Sequence, residues 1–152
     1  MFENTDKTAI NELGEFGLIE HLTQAVEITQ DSTIKGIGDD AAVLDFSTKK
    51  TLISTDLLLE GIHFDLRYVP LKHLGYKAVQ VNLSDIYAMN GMASQITFSI
   101  GLSSKFPLEA VEEIYEGALI ACKKFGVDLI GGDTSASAQG LVLSITSIGY
   151  VD

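Results

Sequence analysis

Four short segments of this sequence place aspartate beside residues that can share a ligand with it. They are GIGDDAAV (36–43), ISTDLLLEGIHF (53–64), VNLSDIYAMNG (81–91) and LIGGDTSAS (129–137). Asp39, Asp40, Asp56, Asp85 and Asp133 each stand at or near the end of an apolar run, next to glycine or a hydroxyl residue. A carboxylate in apolar surroundings is costly unless something neutralises it. If the segments meet, these carboxylates repel one another until divalent cations sit between them. Oxygen donors without a Cys/His cluster suit Mg²⁺ or Ca²⁺ rather than zinc. Mg²⁺ takes few carboxylates and adds substrate phosphates, so acidic loops with glycines suggest a metal–nucleotide site. There the cations neutralise and orient a polyphosphate, and a strongly basic cradle is not required.

Each segment also has a plainer reading. GIGDDA fits G-x-G-x-x-[GA], but a strand pattern follows it and two aspartates oppose a pyrophosphate without metal. Taken singly, Asp56 suits a turn or cap, and Asn82 with Asp85 suits a solvated helix stripe. GGDTS has an ordinary turn composition. The conjunction, rather than any member, favours metal. His63 follows Gly61 and suits either a general acid/base or phosphate contact, or a structural histidine. Lys77 is within the same class of phosphate-or-solvent alternatives. Tyr115 falls on an apolar helix stripe, where packing is the simple role, and Cys122 reads as a small buried hydrophobe. The sequence has no G-x-x-x-x-G-K-[ST] loop and lacks the protein-kinase motif set.

The elements that must position these residues follow from periodicity. Phe16, Ile19, Leu22 and Val26 recur at helical spacing and predict a helix from Gly14 to about Thr29. AAVLDF (41–46) and TLIST (51–55) predict strands around the turn-forming STKK. A helix is expected from Pro70 to Asn90, with Leu71, Leu74, Ala78, Val81 and Met89 on its apolar side and Gly91 as its cap. SQITFSIGL (94–102) predicts a strand. Pro107, Glu109, Glu112 and Glu113 suit the start of another helix, and Lys123, Lys124 and Gly126 suit its end. Its stripe is Leu108, Val111, Ile114, Tyr115, Ala118, Cys122 and Phe125. VDLIG (127–131) and GLVLSITSIGYV (140–151) complete the strands. This order predicts an α+β fold, a mixed or largely antiparallel sheet with helices on one face. The alternating Leu141, Leu143, Ile145 and Ile148 of the last strand leave its other face in need of a second domain or subunit. Residues 1–13 read as an N-terminal arm and 14–152 as the domain.

Composition sets the surroundings. With 21 Asp plus Glu against 10 Lys plus Arg, the net charge is −11, and 46% of residues are hydrophobic. Length and apolar content suit one domain with a real core. The acidity argues against nucleic acid or an anionic membrane as partner, since phosphate contacts come largely from Lys and Arg. A single cysteine fits a reducing cytoplasm. The polar, acidic start does not read as a secretory or transit signal.

In order, GEFGLI (14–19), GIGDDAAV, ISTDLLLEGIHF, YKAVQVNLSDIYAMNG, LIGGDTS and the final strand resemble the N-terminal half of the thiamine-monophosphate kinase family. That family lies within the aminoimidazole ribonucleotide synthetase-like superfamily. STD…GIHF with NLSD…AMNG is the specific part. The resemblance implies ATP-dependent phosphorylation of thiamine monophosphate to thiamine diphosphate, with several Mg²⁺ ions and no covalent enzyme intermediate. It implies no residue acting as nucleophile or acid/base. Carried over by position, Asp40, Ser54, Thr55, Asp56, Asp85 and Asp133 match metal ligands, with Asp39 supporting. Tyr115, Gly132 and Asp133 match ATP contacts, and His63 matches a contact to the thiamine phosphate.

The resemblance further implies a homodimer that pairs its sheets, with the nucleotide near the interface. It also implies a second α/β domain beyond Asp152, without which the chain is an incomplete half. Two other functions compete with this one. The first is a superfamily relative that uses ATP to activate another small molecule, as in selenophosphate synthesis or hydrogenase maturation. The second is a non-catalytic module for metal binding or dimerisation.

Overall fold

A computed structural model describes residues 13–38 and 42–152. Asp39, Asp40 and the expected arm, apart from Leu13, lie outside the described residues. The elements are α1 (Gly14–Thr23), β1 (Thr33–Lys35), β2 (Val43–Leu44), β3 (Lys50–Leu59), α2 (Leu71–Ala88), β4 (Met92–Leu102), α3 (Leu108–Phe125), β5 (Asp128–Ala136) and β6 (Val142–Val151). Four strands form a mixed sheet in the order β3-β6-β4-β5. Only the β4–β5 pair in it is parallel, the pair that the crossover helix α3 connects. The short β1 and β2 pair separately. This is the expected α+β layer.

Helices α2 and α3 cover one face of the sheet. Leu74, Ala78, Ile114 and Ala118 meet Phe98, Ile100, Leu143 and Ile145, all at most 2% exposed. The two helices touch at backbone distance. A Cβ on Gly75 would stand 1.8 Å from the Ile114 carbonyl oxygen, and one on Gly117 would stand 1.8 Å from that of Lys72. The expected α3 stripe is buried or nearly so, and Gly126 takes the left-handed conformation (φ 64°) that ends the helix.

Several boundaries differ from the sequence expectation. The first helix stops at Thr23 rather than near Thr29. Thr23 Oγ1 bonds back to the Ile19 carbonyl at 2.8 Å, and β-branched Val26, Ile28 and Thr29 favour extended backbone beyond it. Its buried residues are Leu18 and Leu22, whereas Phe16 is 84% exposed. At the end of α2, Asn90 takes the left-handed turn (φ 56°) and the Gly91 amide closes on the Ile86 carbonyl. Gly91 instead gives Leu52 room, since a Cβ there would lie 2.3 Å from Leu52 Cδ1 and the leucine would have to shift. Met89 is exposed rather than on the apolar side.

Of the expected strand 41–46, Val43–Leu44 pairs, and β3 is twice the expected length because it runs beside all of β6. Strand β5 continues through GGDTS, a stretch that composition alone marks as a turn. Ile130 is an extra residue in it, between the Ile96–Leu129 and Thr97–Gly131 pairs.

Candidate functional site

Strand β3 alternates its side chains, as any strand does. Ser54 and Asp56 turn towards α2, while Thr55 turns to the opposite face. On the α2 side, Ser54 Oγ donates to Asp85 Oδ2 at 2.6 Å. The Asp56 amide donates to Asn82 Oδ1 at 2.9 Å. Asn82 is fully buried, gives its Nδ2 proton to the Ala78 carbonyl, and accepts Ser147 Oγ on its own carbonyl at 3.0 Å. A helix carrying Asn82 and Asp85 three residues apart is thereby fixed to the edge strand. Ser54, Asp56 and Asp85, all half-buried, form one oxygen-rich corner. Thr55 Oγ1 bonds the Ile145 carbonyl and receives Thr146 Oγ1 on the far face, away from that corner.

The second group lies at the other edge of the sheet. A cavity of about 670 Å³ is lined by Tyr115, Gly131, Gly132, Asp133, Ile37 and Gly38, among others. Its size suits a drug- or nucleotide-sized ligand. Gly132 is required there, because a Cβ would fall 1.9 Å from the Phe98 carbonyl oxygen. The Tyr115 ring packs on Phe98 with centroids 5.2 Å apart, and burial pushes its hydroxyl up to about 12. It therefore stays protonated as a donor. Packing and cavity lining are both roles of this one residue. Gly132, Asp133 and Tyr115, the three positions matched to nucleotide, come together here.

The two groups do not merge within one chain. Asp56 shares a row with Ile145, Phe98 and Gly132, whereas Asp133 shares one with Ser99, Ser144 and Leu57. The rows face opposite sides of the sheet, and the edge strands are three spacings apart, roughly 14 Å. Among the described residues, no three His, Cys, Asp or Glu side chains stand close enough to hold a metal ion. The expected convergence of the aspartates is thus absent from a single copy of the described residues.

His63 lies after the tight turn at Gly61 (φ 81°). Its Nδ1 accepts the Leu59 amide at 3.0 Å, so the ring proton sits on Nε2, at the exposed edge. Lys77 Nζ donates to the His63 carbonyl at 3.2 Å, which makes it a support of this turn. Cys122 is buried and its thiol is pushed up to about 12, as expected of an inert core residue. Sequence reasoning missed Asp128, a fully buried carboxylate at the start of β5. Its signal was present: an aspartate between Val127 and Leu129, in the apolar setting that marked the others.

The model of the AIR synthase related protein family, N-terminal domain, matches residues 38–151. The chain belongs to that family. The chain is 37% identical over 143 residues to the thiamine-monophosphate kinase of Bacillus subtilis (strain 168), covering 92% of this chain. The chain spans about 43% of that relative's length. Two solved structures share the fold. The thiamine-monophosphate kinase of Stenotrophomonas maltophilia K279a has 32% identity and a TM-score of 0.76, over 91% of this chain and 42% of that one. AaThiL complexed with AMPPCP and TMP has 33% identity and a TM-score of 0.66, over 97% and 45%.

Proposed function

We propose that the full-length protein phosphorylates thiamine monophosphate to thiamine diphosphate with ATP, and that residues 14–152 form its metal- and nucleotide-binding half. The observation that carries this reading is the cavity shared by Gly132, Asp133 and Tyr115, residues from β5 and α3 that the family resemblance matched to nucleotide contacts. A relative held with AMPPCP and TMP supports it.

In this reading the reaction needs no enzyme nucleophile. A phosphate oxygen of thiamine monophosphate bonds to the γ-phosphorus, the bond to the β-bridging oxygen breaks, and ADP leaves with that electron pair. Catalysis is then positioning and charge neutralisation. Ser54, Asp56 and Asp85 offer a purely oxygen donor set, which fits Mg²⁺; Asp40 joins it by the family resemblance, and Asp133 joins it only from a second copy. Bound Mg²⁺ ions supply neutralisation and orientation of the polyphosphate. Bare Gly131 and Gly132 let phosphate approach the backbone, Tyr115 offers a protonated hydroxyl, and His63 presents an Nε2 proton to the acceptor's phosphate.

The separation of Asp133 from Asp56 and Asp85 supports a homodimer, in which a second copy supplies what one sheet holds apart. Exposed Ile53 and Leu57, at 69% and 52%, lie on the open face that such a pairing would cover. A second domain completes the substrate contacts. The described residues contain no helix long and apolar enough to cross a membrane. A cytoplasmic setting is in keeping with the single cysteine.

The test is turnover by the full-length protein with ATP, Mg²⁺ and thiamine monophosphate. Acceptor-dependent ADP and thiamine diphosphate are expected, and both should vanish in chelator. If ADP forms at the same rate without the acceptor, or not at all, the assignment is wrong.

A further inference from the structure

Asp128 receives four hydrogen bonds from one short segment nearly a hundred residues earlier. The Thr29 amide and Thr29 Oγ1 donate to Oδ1 at 2.8 and 2.9 Å. The Gln30 amide and Thr33 Oγ1 donate to Oδ2 at 3.0 and 2.7 Å. Beside it in the sheet, Gln95 is equally buried and gives its Nε2 protons to Ser32 Oγ at 2.7 Å and Thr33 Oγ1 at 2.8 Å. Thr33 therefore accepts from Gln95 and donates to Asp128, a chain in which each bond polarises the next. A carboxylate only accepts, so four donors from one loop define where that loop must lie.

The gripped loop leads directly to the nucleotide cavity. From Thr33 the chain runs through β1 to Gly36, whose missing side chain lets Ile28 Cδ1 lie 2.9 Å from the place a Cβ would take. Ile37 and Gly38 then form a wall of the cavity, facing the Gly131–Thr134 wall that lies a few residues beyond Asp128 on β5. One carboxylate thus ties together the two segments that bound the cavity, and neither Asp128 nor Thr33 lines it.

We infer that Asp128 is a positioning residue for nucleotide binding, holding the 29–38 segment against β5 so that the cavity keeps its width. This rests on the nucleotide reading above. Calorimetric titration of Mg-ATP compares the unaltered protein with Asp128→Asn, Thr33→Val and Thr33→Ser, at a temperature where circular dichroism shows each to be folded. Asp128→Asn removes the charge and sets an NH₂ donor against two of the four donors, and Thr33→Val deletes the hydroxyl at equal volume. Both should raise the Mg-ATP Kd about tenfold, the fold-change that corresponds to losing a buried hydrogen bond to a charged group. Thr33→Ser, which keeps the hydroxyl, should bind within twofold of the unaltered protein. Hydrogen exchange should quicken at the Thr29, Gln30 and Thr33 amides in the two weakened variants and stay unchanged in β3 and β6.

Unchanged Kd in folded Asp128→Asn and Thr33→Val would overturn the inference, as would a Thr33→Ser as weak as Thr33→Val. If Asp128→Asn does not fold, the Thr33 pair decides. No Mg-ATP binding by the unaltered protein would overturn the nucleotide reading itself, a result seen before any variant is compared.

Discussion

Ser54 and Asp85, 31 residues apart in sequence, share a hydrogen bond of 2.6 Å between an edge strand and the helix that covers it. The bond orients both candidate ligands before any cation arrives, and Asn82 fixes the neighbouring Asp56 backbone to the same helix. Asp85→Asn keeps an acceptor for Ser54 and should leave the fold intact while removing the negative charge. Loss of one preorganised electrostatic group costs about 100-fold or more in turnover. We expect a fall of that size in kcat of the full-length protein, with a higher Mg²⁺ requirement in a metal titration. Wild-type turnover at every Mg²⁺ concentration would exclude Asp85 from the site.

Tyr115 separates packing from binding through two substitutions. Tyr115→Phe retains the ring on Phe98 and removes a hydroxyl, so the melting temperature should barely move. A hydrogen bond is worth about 1 kcal/mol, which corresponds to roughly a fivefold weaker nucleotide Kd. Tyr115→Ala should cost about 3–5 kcal/mol in denaturant unfolding, the range for deleting a buried aromatic ring. Equal nucleotide affinity in unaltered protein and Tyr115→Phe would remove the hydroxyl from the binding account.

The α2–α3 crossing makes opposite demands on two glycines. Alanine in a helix interior is favoured over glycine by about 1 kcal/mol. At Gly75 and Gly117, however, the new methyl would meet a carbonyl oxygen at 1.8 Å, and forcing the helices apart costs typically 1–3 kcal/mol or more. The clash should win, so Gly75→Ala and Gly117→Ala each lower the unfolding midpoint. A midpoint that rises in either variant would mean that the helices sit further apart.

Alkaline pH should weaken the fold. Burial raises Cys122 from 9.0 to about 12 and Tyr115 from 10.0 to about 12. Both are neutral when protonated, so their full contribution is present below the unfolded values and is lost as pH rises towards 12. For Cys122 alone the linkage is on the order of 4 kcal/mol, at about 1.4 kcal/mol per unit. Urea midpoints should therefore fall between pH 9 and 12, and less steeply in Cys122→Ala relative to its own value at neutral pH. Parallel pH profiles for the two proteins would contradict a buried, high-pKa thiol.

The two long helices were legible because burial of one stripe at 3.6-residue spacing leaves a direct trace, as Leu74–Ala78 and Ile114–Ala118 show. The end of α1 was not, because Thr29 and Gln30 give their amides to a carboxylate some hundred residues away. Strand β1 was unmarked for the same reason: Thr33 is buried by Asp128 and Gln95 rather than by a local apolar pattern. The GGDTS segment hid its strand because glycine and aspartate carry little strand preference of their own. Parallel pairing with β4 overrides that, with Gly132 bare beneath the Phe98 carbonyl.

At the site, residue types alone determined the chemistry on offer: oxygen donors at Ser54, Asp56, Asp85 and Asp133, a histidine after a tight turn, and glycines next to an aspartate. Which of them meet was decided only in three dimensions. Ile130 is the reason in one case. Strand faces alternate with period two, so the extra residue reverses every side chain after it. If Ile130 instead took its place in the ladder, Asp133 would pair with Ile100 and turn towards the helices, on the same side as Asp56. Because Ile130 bulges, Asp133 pairs with Ser99 and turns to the opposite face, the face that also carries Asp128 and the loop it holds. A single bulge, invisible to composition or periodicity, divides the aspartates between two sides of one sheet.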